Sequence, residues 1–139
     1  MGKINLSRVI LGGILAGIVV NVSEFLLHDV VMKAQDAEVM KSLGKTMPEG
    51  GGVIAVWLVW GFAWGIAAVW LYSAMRPRFG PGPGTAARTG VAAWFFCCLL
   101  MSVAMANIGL FPLSGLELVW TLVQSVVAVV VGAWIYKEA

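Results

Sequence analysis

Four long apolar runs alternate with short polar segments along this chain. Each run is close to the ~20 residues that a helix needs to cross a hydrocarbon core ~30 Å thick. The pattern therefore predicts four membrane-spanning helices, at residues 6–32, 53–75, 85–110 and 115–136. We number them as predicted helices 1 to 4.

The connecting segments differ in character. Residues 33–52 are polar, but Ala37, Met40, Leu43 and Met47 recur at helical spacing, so both a solvated connector and a short helix on the membrane surface are possible interpretations. Residues 76–84 are rich in proline, glycine and arginine and should break the helix to form a basic loop. The last link, residues 111–114, is so short that predicted helices 3 and 4 should be antiparallel neighbours.

Basic residues near the helix ends predict the orientation, because cytoplasmic loops carry an excess of lysine and arginine. One side holds six of them and the other three: Lys3, Arg8, Arg76, Arg78, Arg88 and Lys137 against Lys33, Lys41 and Lys45. Both termini and the loop at residues 76–84 should therefore be cytoplasmic, with residues 33–52 outside. We expect an all-α, antiparallel, up-down bundle of four transmembrane helices, forming a single membrane domain over residues 1–139 in the bacterial inner membrane.

Composition supports the membrane assignment and excludes several classes of function. Of the 139 residues, 60% are hydrophobic and 12% are charged, whereas a soluble domain carries roughly 25% charged residues. The net charge of +2 and the lack of a basic patch interleaved with aromatic residues argue against nucleic-acid binding. Enzymatic chemistry is the least supported, since no Ser-His-Asp set, phosphate loop or dinucleotide motif is found.

One stripe of predicted helix 1 combines small and polar residues. Gly13, Gly17, Asn21, Glu24 and His28 fall within an arc of about 80° at 100° per residue. The glycines form a notch that permits close helix approach, as does the Gly-x-x-x-Gly spacing in predicted helix 2. We expect these notches to support a homodimer, with the lipid bilayer as the other partner.

Glu24 is the residue of this stripe that is hardest to explain by packing. It lies about 8 Å outward of the midpoint of its helix, where a carboxylate costs about 2–3 kcal/mol on insertion scales. The alternative to a functional role is a structural one, in which Glu24 is buried, neutral and hydrogen-bonded to a partner. Five residues are the candidate ligand-binding set in a pocket open to the exterior: Asn21, Glu24, His28, Gln124 and Glu117.

Each companion of Glu24 also has a structural interpretation. Gln124, near the middle of predicted helix 4, is placed opposite Glu24, but buried amides often bridge helices. Glu117 follows Ser114 by three residues, which is the spacing of a capping box. His28 lies close enough to the membrane surface to be solvated.

A divalent metal ion is a possible cofactor of this site. Glu24 and His28 are four residues apart and meet on one helix face, and Glu117 could supply a third ligand. His28 is the only histidine in the sequence, so a di-iron site with two Glu-x-x-His motifs is excluded.

The run Leu11-Gly12-Gly13-Ile14-Leu15-Ala16 resembles the first helix of the small multidrug-resistance transporters. In that family an essential glutamate follows this motif and couples protons to drug export in a dimer. Here Gly17 occupies the matching position and the only acid of the helix is Glu24, so the resemblance supplies an analogy for transport and no site residues.

Three functions remain as hypotheses. The leading one is a small membrane protein whose polar pocket around Glu24 and His28 binds a metal cation or a small ligand. The second is a proton-coupled small transporter working as a homodimer, in which Glu24 exchanges a proton for substrate. The third is a non-catalytic assembly or accessory protein that binds partner helices through its glycines.

Overall fold

The computed structural model describes residues 3–138. Every regular element in this part of the chain is a helix. The elements are α1 (Leu6–Glu24), a first π-helical segment (Phe25–Val31), α2 (Lys33–Ser42), α3 (Gly51–Phe79), α4 (Pro83–Trp94), a second π-helical segment (Phe95–Leu99), α5 (Leu100–Asn107) and α6 (Gly115–Trp134).

These helices form four spans that are long and apolar enough to cross a membrane. Spans 1 to 4 are Leu6–Val31, Gly51–Phe79, Pro83–Asn107 and Gly115–Trp134, with 26, 29, 25 and 20 residues. At 1.5 Å per residue even the shortest is about 30 Å long, which matches a hydrocarbon core. For residues 3–138 the prediction of an all-helical chain is confirmed, with four helices that are long and apolar enough to span a membrane.

The second span ends later than the sequence predicts. We expected the helix to break at Arg76, but α3 continues through Pro77 to Phe79. Proline removes one helical hydrogen bond, and the loss is small here because Pro77 lies in the last turn. Gly80, with φ of +82°, ends the helix instead, and its N–H donates to the Arg76 carbonyl at 2.9 Å.

The first connector contains a helix, in agreement with one of its two interpretations. α2 has no buried residue, which is the property of a helix lying on a surface. It ends at Ser42, and the φ of +69° at Gly44 lets the chain turn back so that the Lys45 N–H donates to the Met40 carbonyl at 2.9 Å.

The glycine notches bring α1 and α3 into backbone contact within one chain. A Cβ atom added to Gly13 would overlap the backbone of Ile66, and one added to Gly65 would overlap the backbone of Gly13 and Gly17. The expected dimer contact through these glycines therefore has no free surface on which to form, because the other helix of the same chain already fills each notch.

A dry layer of small and branched side chains closes the centre of the bundle. Ala16 and Val20 of α1, Val69 of α3, and Ala128 and Val129 of α6 are each 0 to 1% exposed. Side chains of this size let three helices approach closely. This apolar layer lies beneath the polar residues described below.

Contacts between tyrosines hold the chain ends and the α3–α4 loop together. The Tyr136 hydroxyl accepts a hydrogen bond from the Asn5 N–H at 3.4 Å, and the Tyr72 hydroxyl accepts one from the Gly82 N–H at 3.2 Å. The two tyrosine rings pack edge to face with their centroids 5.9 Å apart. The start of α1, the end of α6 and this loop therefore lie at one end of the bundle, which we call the basic end.

Candidate functional site

Glu24 lies at the last residue of α1 and faces α6. Its Oε1 accepts a hydrogen bond from Gln124 Nε2 at 2.6 Å. Gln124 is 7% exposed, and its Oε1 is buried without a partner among the described residues. The carboxylate that the sequence places at membrane depth is thus paired with the amide that we expected opposite it.

The first π-helical segment positions His28 above Glu24. The seven residues Phe25–Val31 follow α1 directly, and the segment closes with the Met32 N–H donating to the Leu27 carbonyl at 2.7 Å. His28 Nε2 lies 3.3 Å from Glu24 Oε2. Short π-helical insertions occur frequently at functional sites because they rotate side chains out of the regular helical register.

Asp36, on the surface helix α2, completes the set. His28 Nδ1 lies 2.8 Å from Asp36 Oδ2, so each ring nitrogen faces a carboxylate oxygen. A neutral imidazole carries a hydrogen on only one nitrogen. Satisfying both contacts therefore requires the imidazolium form or a proton on one of the two carboxyl groups.

Gln124, Glu24, His28 and Asp36 form one continuous series of polar contacts, which we call the Glu24 network. It begins at a buried amide in the middle of α6 and ends on the surface helix. Below Gln124 the next turn of α6 brings Ala128, which belongs to the dry layer. The network therefore connects Glu24 to one surface of the bundle only.

Asp36 is the member of this network that sequence analysis missed. It lies eight residues after His28 and in a different helix, so no helical spacing relates the two. A usable signal was its place in the first turn of a predicted surface helix, where the helix dipole favours an acidic residue.

Asn21 points away from the Glu24 network, in contrast to its predicted role as a site residue. Its Nδ2 donates to the Leu58 carbonyl of α3 at 3.2 Å, and its amide fills the space above Gly61. Asn21 and Glu24 lie on one stripe, but the stripe is wide enough for Asn21 to contact α3 while Glu24 contacts α6. Asn21 therefore joins α1 to α3.

Glu117 also remains outside the network. Its N–H donates to Ser114 Oγ at 3.3 Å, which is the cap that the sequence suggested. In the part of the chain that the structure describes, its carboxylate makes no hydrogen bond or ion pair. It lies two turns from Gln124 on the same face of α6, near the N-terminal end of that helix.

The predicted metal site does not form from these residues. Among residues 3–138, no group of three or more His, Cys, Asp or Glu side chains is placed to hold a metal ion. Glu24, His28 and Glu117 do not converge, because His28 binds between two carboxylates and Glu117 stays at its helix end. The donor set does not fit a divalent metal.

Two shallow surface grooves lie away from the predicted pocket around Glu24. One groove runs along α1 beside Ile18, Val22 and Leu26, and a second follows the outer face of α4. Both are lined almost entirely by apolar side chains. Neither includes Glu24, His28 or Gln124.

Two tryptophans fix α6 in the rotation that aims Gln124 at Glu24. Trp120 Nε1 donates to Ser23 Oγ at 2.9 Å, next to Glu24 in sequence. Trp94 Nε1 donates to the Leu118 carbonyl at 3.1 Å, and Thr121 Oγ1 is a second acceptor at 3.2 Å. An indole has a single N–H, so each of these bonds satisfies a donor that would be unpaired in lipid.

Comparison of the chain with protein-family models, with curated proteins and with solved structures finds no match.

Proposed function

We propose that this protein is a small proton-coupled membrane transporter and that the Glu24 network is its proton-binding site. The observation that carries the proposal is the continuity of the network, from buried Gln124 through Glu24 and His28 to Asp36 on the surface helix. Series of acidic residues and histidine inside membrane spans are typical of proton relays in pumps and transporters.

The proposal includes an orientation in the membrane. The contacts of Gly13 with Ile66 and of Asn21 with Leu58 support an antiparallel arrangement of spans 1 and 2. The excess of lysine and arginine at the basic end supports an up-down bundle with both termini cytoplasmic. The Glu24 network then opens to the exterior of a cytoplasmic membrane, within a single membrane domain.

His28 has the geometry of a proton shuttle between two carboxylates. A proton taken up at Asp36 can pass to Nδ1, and the proton on Nε2 can pass to Glu24, because each nitrogen is within hydrogen-bonding distance of a carboxylate oxygen. The side chains of Asp36 and His28 are 22% and 39% exposed, so water reaches the network at both residues. Net transfer moves one proton from Asp36 to Glu24 and leaves the imidazole in the other tautomer.

Gln124 can stabilise both protonation states of Glu24. Its amide N–H₂ donates to the carboxylate when Glu24 is charged. When Glu24 is neutral, its O–H needs an acceptor, and rotation of the amide would offer the unpartnered Oε1. An apolar side chain at this position could do neither.

The dry layer makes an open proton channel a poor interpretation. Val20 and Val129 are buried beneath Glu24 without polar contacts, so a proton at Glu24 has no path onward in this conformation. A site reached from one side only is what alternating access requires. Release to the other side would then depend on a movement of the helices, for which the π-helical segment beside Glu24 is suitable.

Proton binding is better supported than the leading sequence hypothesis of a metal or ligand pocket. Both oxygens of Glu24 already have partners, and neither of the two surface grooves described above reaches it. A proton needs no cavity, because it moves along existing hydrogen bonds.

The nitrogen resonances of His28 provide a direct test of the network. This is the only histidine, so ¹⁵N NMR of protein purified with a histidine-free tag reports one imidazole without ambiguity. Glu24→Gln should shift mainly the Nε2 resonance, because it removes the carboxylate beside that nitrogen. Asp36→Asn should shift mainly the Nδ1 resonance, because its partner lies on the opposite side of the ring.

Glu117→Gln is the matched control for this experiment. It removes a carboxylate from the same end of the bundle but from outside the network, so both resonances should stay near their wild-type positions. Equal shifts in Glu24→Gln and Glu117→Gln would show that His28 senses only the general charge, and the relay would be rejected.

A further inference from the structure

The outer face of α4 carries an apolar groove with an arginine at its head. It is lined by Ala87, Arg88, Val91, Ala92, Phe95 and Phe96, which recur at three- and four-residue spacing along one side of the helix. The lining below Arg88, which we call the floor, is apolar throughout, and it ends at Phe95 and Phe96, whose rings pack edge to face. From Ala87 to Phe96 the groove follows the helix for about 14 Å.

This groove belongs to the least covered span of the bundle. Only 17% of the apolar window of span 3 is buried inside the protein, against 28% to 33% for the other three spans. Val91, Phe95 and Phe96 are 46%, 42% and 67% exposed. In a membrane, this surface is in contact with lipid.

Arg88 is held in place at the head of the groove and has no acidic partner. Its guanidinium carbon lies 5.6 Å from the centroid of the Phe79 ring, at the end of α3. Among residues 3–138, no carboxylate forms an ion pair with Arg88. The guanidinium is therefore orientated by an aromatic face while its hydrogen-bond donors remain available.

Positive charge strongly predominates around Arg88 at the head of the groove. Six of the nine lysines and arginines lie at the basic end, and of the seven acidic residues only Glu138 is found there. Glu138 is engaged by Arg76 at 3.4 Å. An anionic group that approaches Arg88 therefore meets an attractive field and no competing carboxylate.

We infer that this groove binds an anionic phospholipid, with its phosphate on Arg88 and one acyl chain along Val91, Ala92 and Phe95. The planar guanidinium donates paired hydrogen bonds that suit a phosphate, and the apolar floor matches the upper part of an acyl chain. A second copy of the protein fits this face less well, since a twofold contact would bury Arg88 without any acidic partner.

Native mass spectrometry of the full chain tests the site. The probes are phosphatidylglycerol and phosphatidylcholine with identical acyl chains, each titrated onto delipidated protein. Wild type should bind phosphatidylglycerol more tightly, and Arg88→Gln should reduce that preference about fivefold, the loss expected for one basic contact at a membrane surface. Ala92→Phe should also weaken binding, because it fills the groove while keeping the charge.

Arg8→Gln is the matched control, because Arg8 is an exposed arginine at the same end but on α1. It should keep the wild-type preference. Equal losses in Arg8→Gln and Arg88→Gln would mean diffuse attraction and would overturn the site, as would equal binding of the two lipids by wild type. Inorganic phosphate should not displace the bound lipid, and displacement would overturn the role of the acyl chain.

The lipid site and the proton site can fail separately. Glu24 lies at the end of the bundle opposite the basic end, where the lipid phosphate would bind. Glu24→Gln should therefore leave the preference for phosphatidylglycerol unchanged. Thermal unfolding of Arg88→Gln and Ala92→Phe in detergent should match that of wild type, which shows that any loss of lipid binding does not come from misfolding.

Discussion

Replacing Glu24 with glutamine is expected to abolish the charge movement that a pH jump produces across membranes containing this protein. Glutamine cannot take up a proton, so the network loses its terminal acceptor while keeping its shape. The measurement is solid-supported membrane electrophysiology on proteoliposomes, with the pH step applied on the side to which the Glu24 network opens. Wild type should give a transient current, and it should give no sustained current because the dry layer of Val20 and Val129 blocks onward transfer.

The folded state should not suffer from this change. Glutamine fills nearly the same volume as Glu24, and at the depth of this residue a charged carboxylate costs about 2–3 kcal/mol on insertion scales. Glu24→Gln should therefore unfold at the same temperature as wild type or higher. Loss of the current together with unchanged stability separates a role in proton binding from a structural one.

Glu117→Gln again provides the control. It removes one carboxylate without touching the network, so its transient current should equal that of wild type. If Glu24→Gln retains the wild-type transient, proton binding at this residue is refuted. A sustained proton current in wild type would instead contradict the one-sided site and favour a channel.

Replacing Gly65 with leucine is expected to destabilise the bundle strongly. A side chain at this position would overlap the backbone of Gly13 and Gly17, and backbone cannot move aside as a side-chain tip can. Overpacking of a well-packed core costs about 1–3 kcal/mol and occasionally more, so we expect at least the upper end of that range. Thermal unfolding followed by circular dichroism in detergent measures the loss.

Gly52→Leu is the matched control within the same helix. Nothing lies within 4 Å of a Cβ atom at Gly52, and leucine is a better helix former than glycine by less than about 1 kcal/mol. This variant should be as stable as wild type or slightly more stable. Equal destabilisation by the two substitutions would mean that the α1–α3 contact does not depend on the close approach of Gly65.

The sequence predicted the pairing of Glu24 with Gln124 because the depth of the two residues in the membrane and their polarity both pointed to it. Both residues lie at similar depths from the outer helix ends, and a carboxylate in lipid needs a partner. The structure places the two side chains in a hydrogen bond of 2.6 Å. Depth and polarity are enough for such a pair, since polar side chains are scarce inside membrane spans.

The remaining site contacts depend on helix rotation, which polarity does not reveal. Asn21 lies on the same stripe as Glu24 but bonds to the Leu58 carbonyl of α3. Asp36 reaches His28 because the π-helical segment and the turn at Met32 bring α2 back over the end of span 1. Neither contact follows from a repeat along a single helix.

By itself, the sequence determined that this protein has four helices long and apolar enough to span a membrane, because the thickness of the hydrocarbon core sets the length of an apolar helix. It also singled out Glu24, whose carboxylate lies at a depth in the membrane where packing alone does not explain it. Only the tertiary structure decided which faces meet: that Gly13 and Gly65 pack within one chain, and that His28 bridges Glu24 to Asp36. The physical reason is that lipid-facing and buried surfaces are equally apolar, so the sequence pattern does not distinguish them.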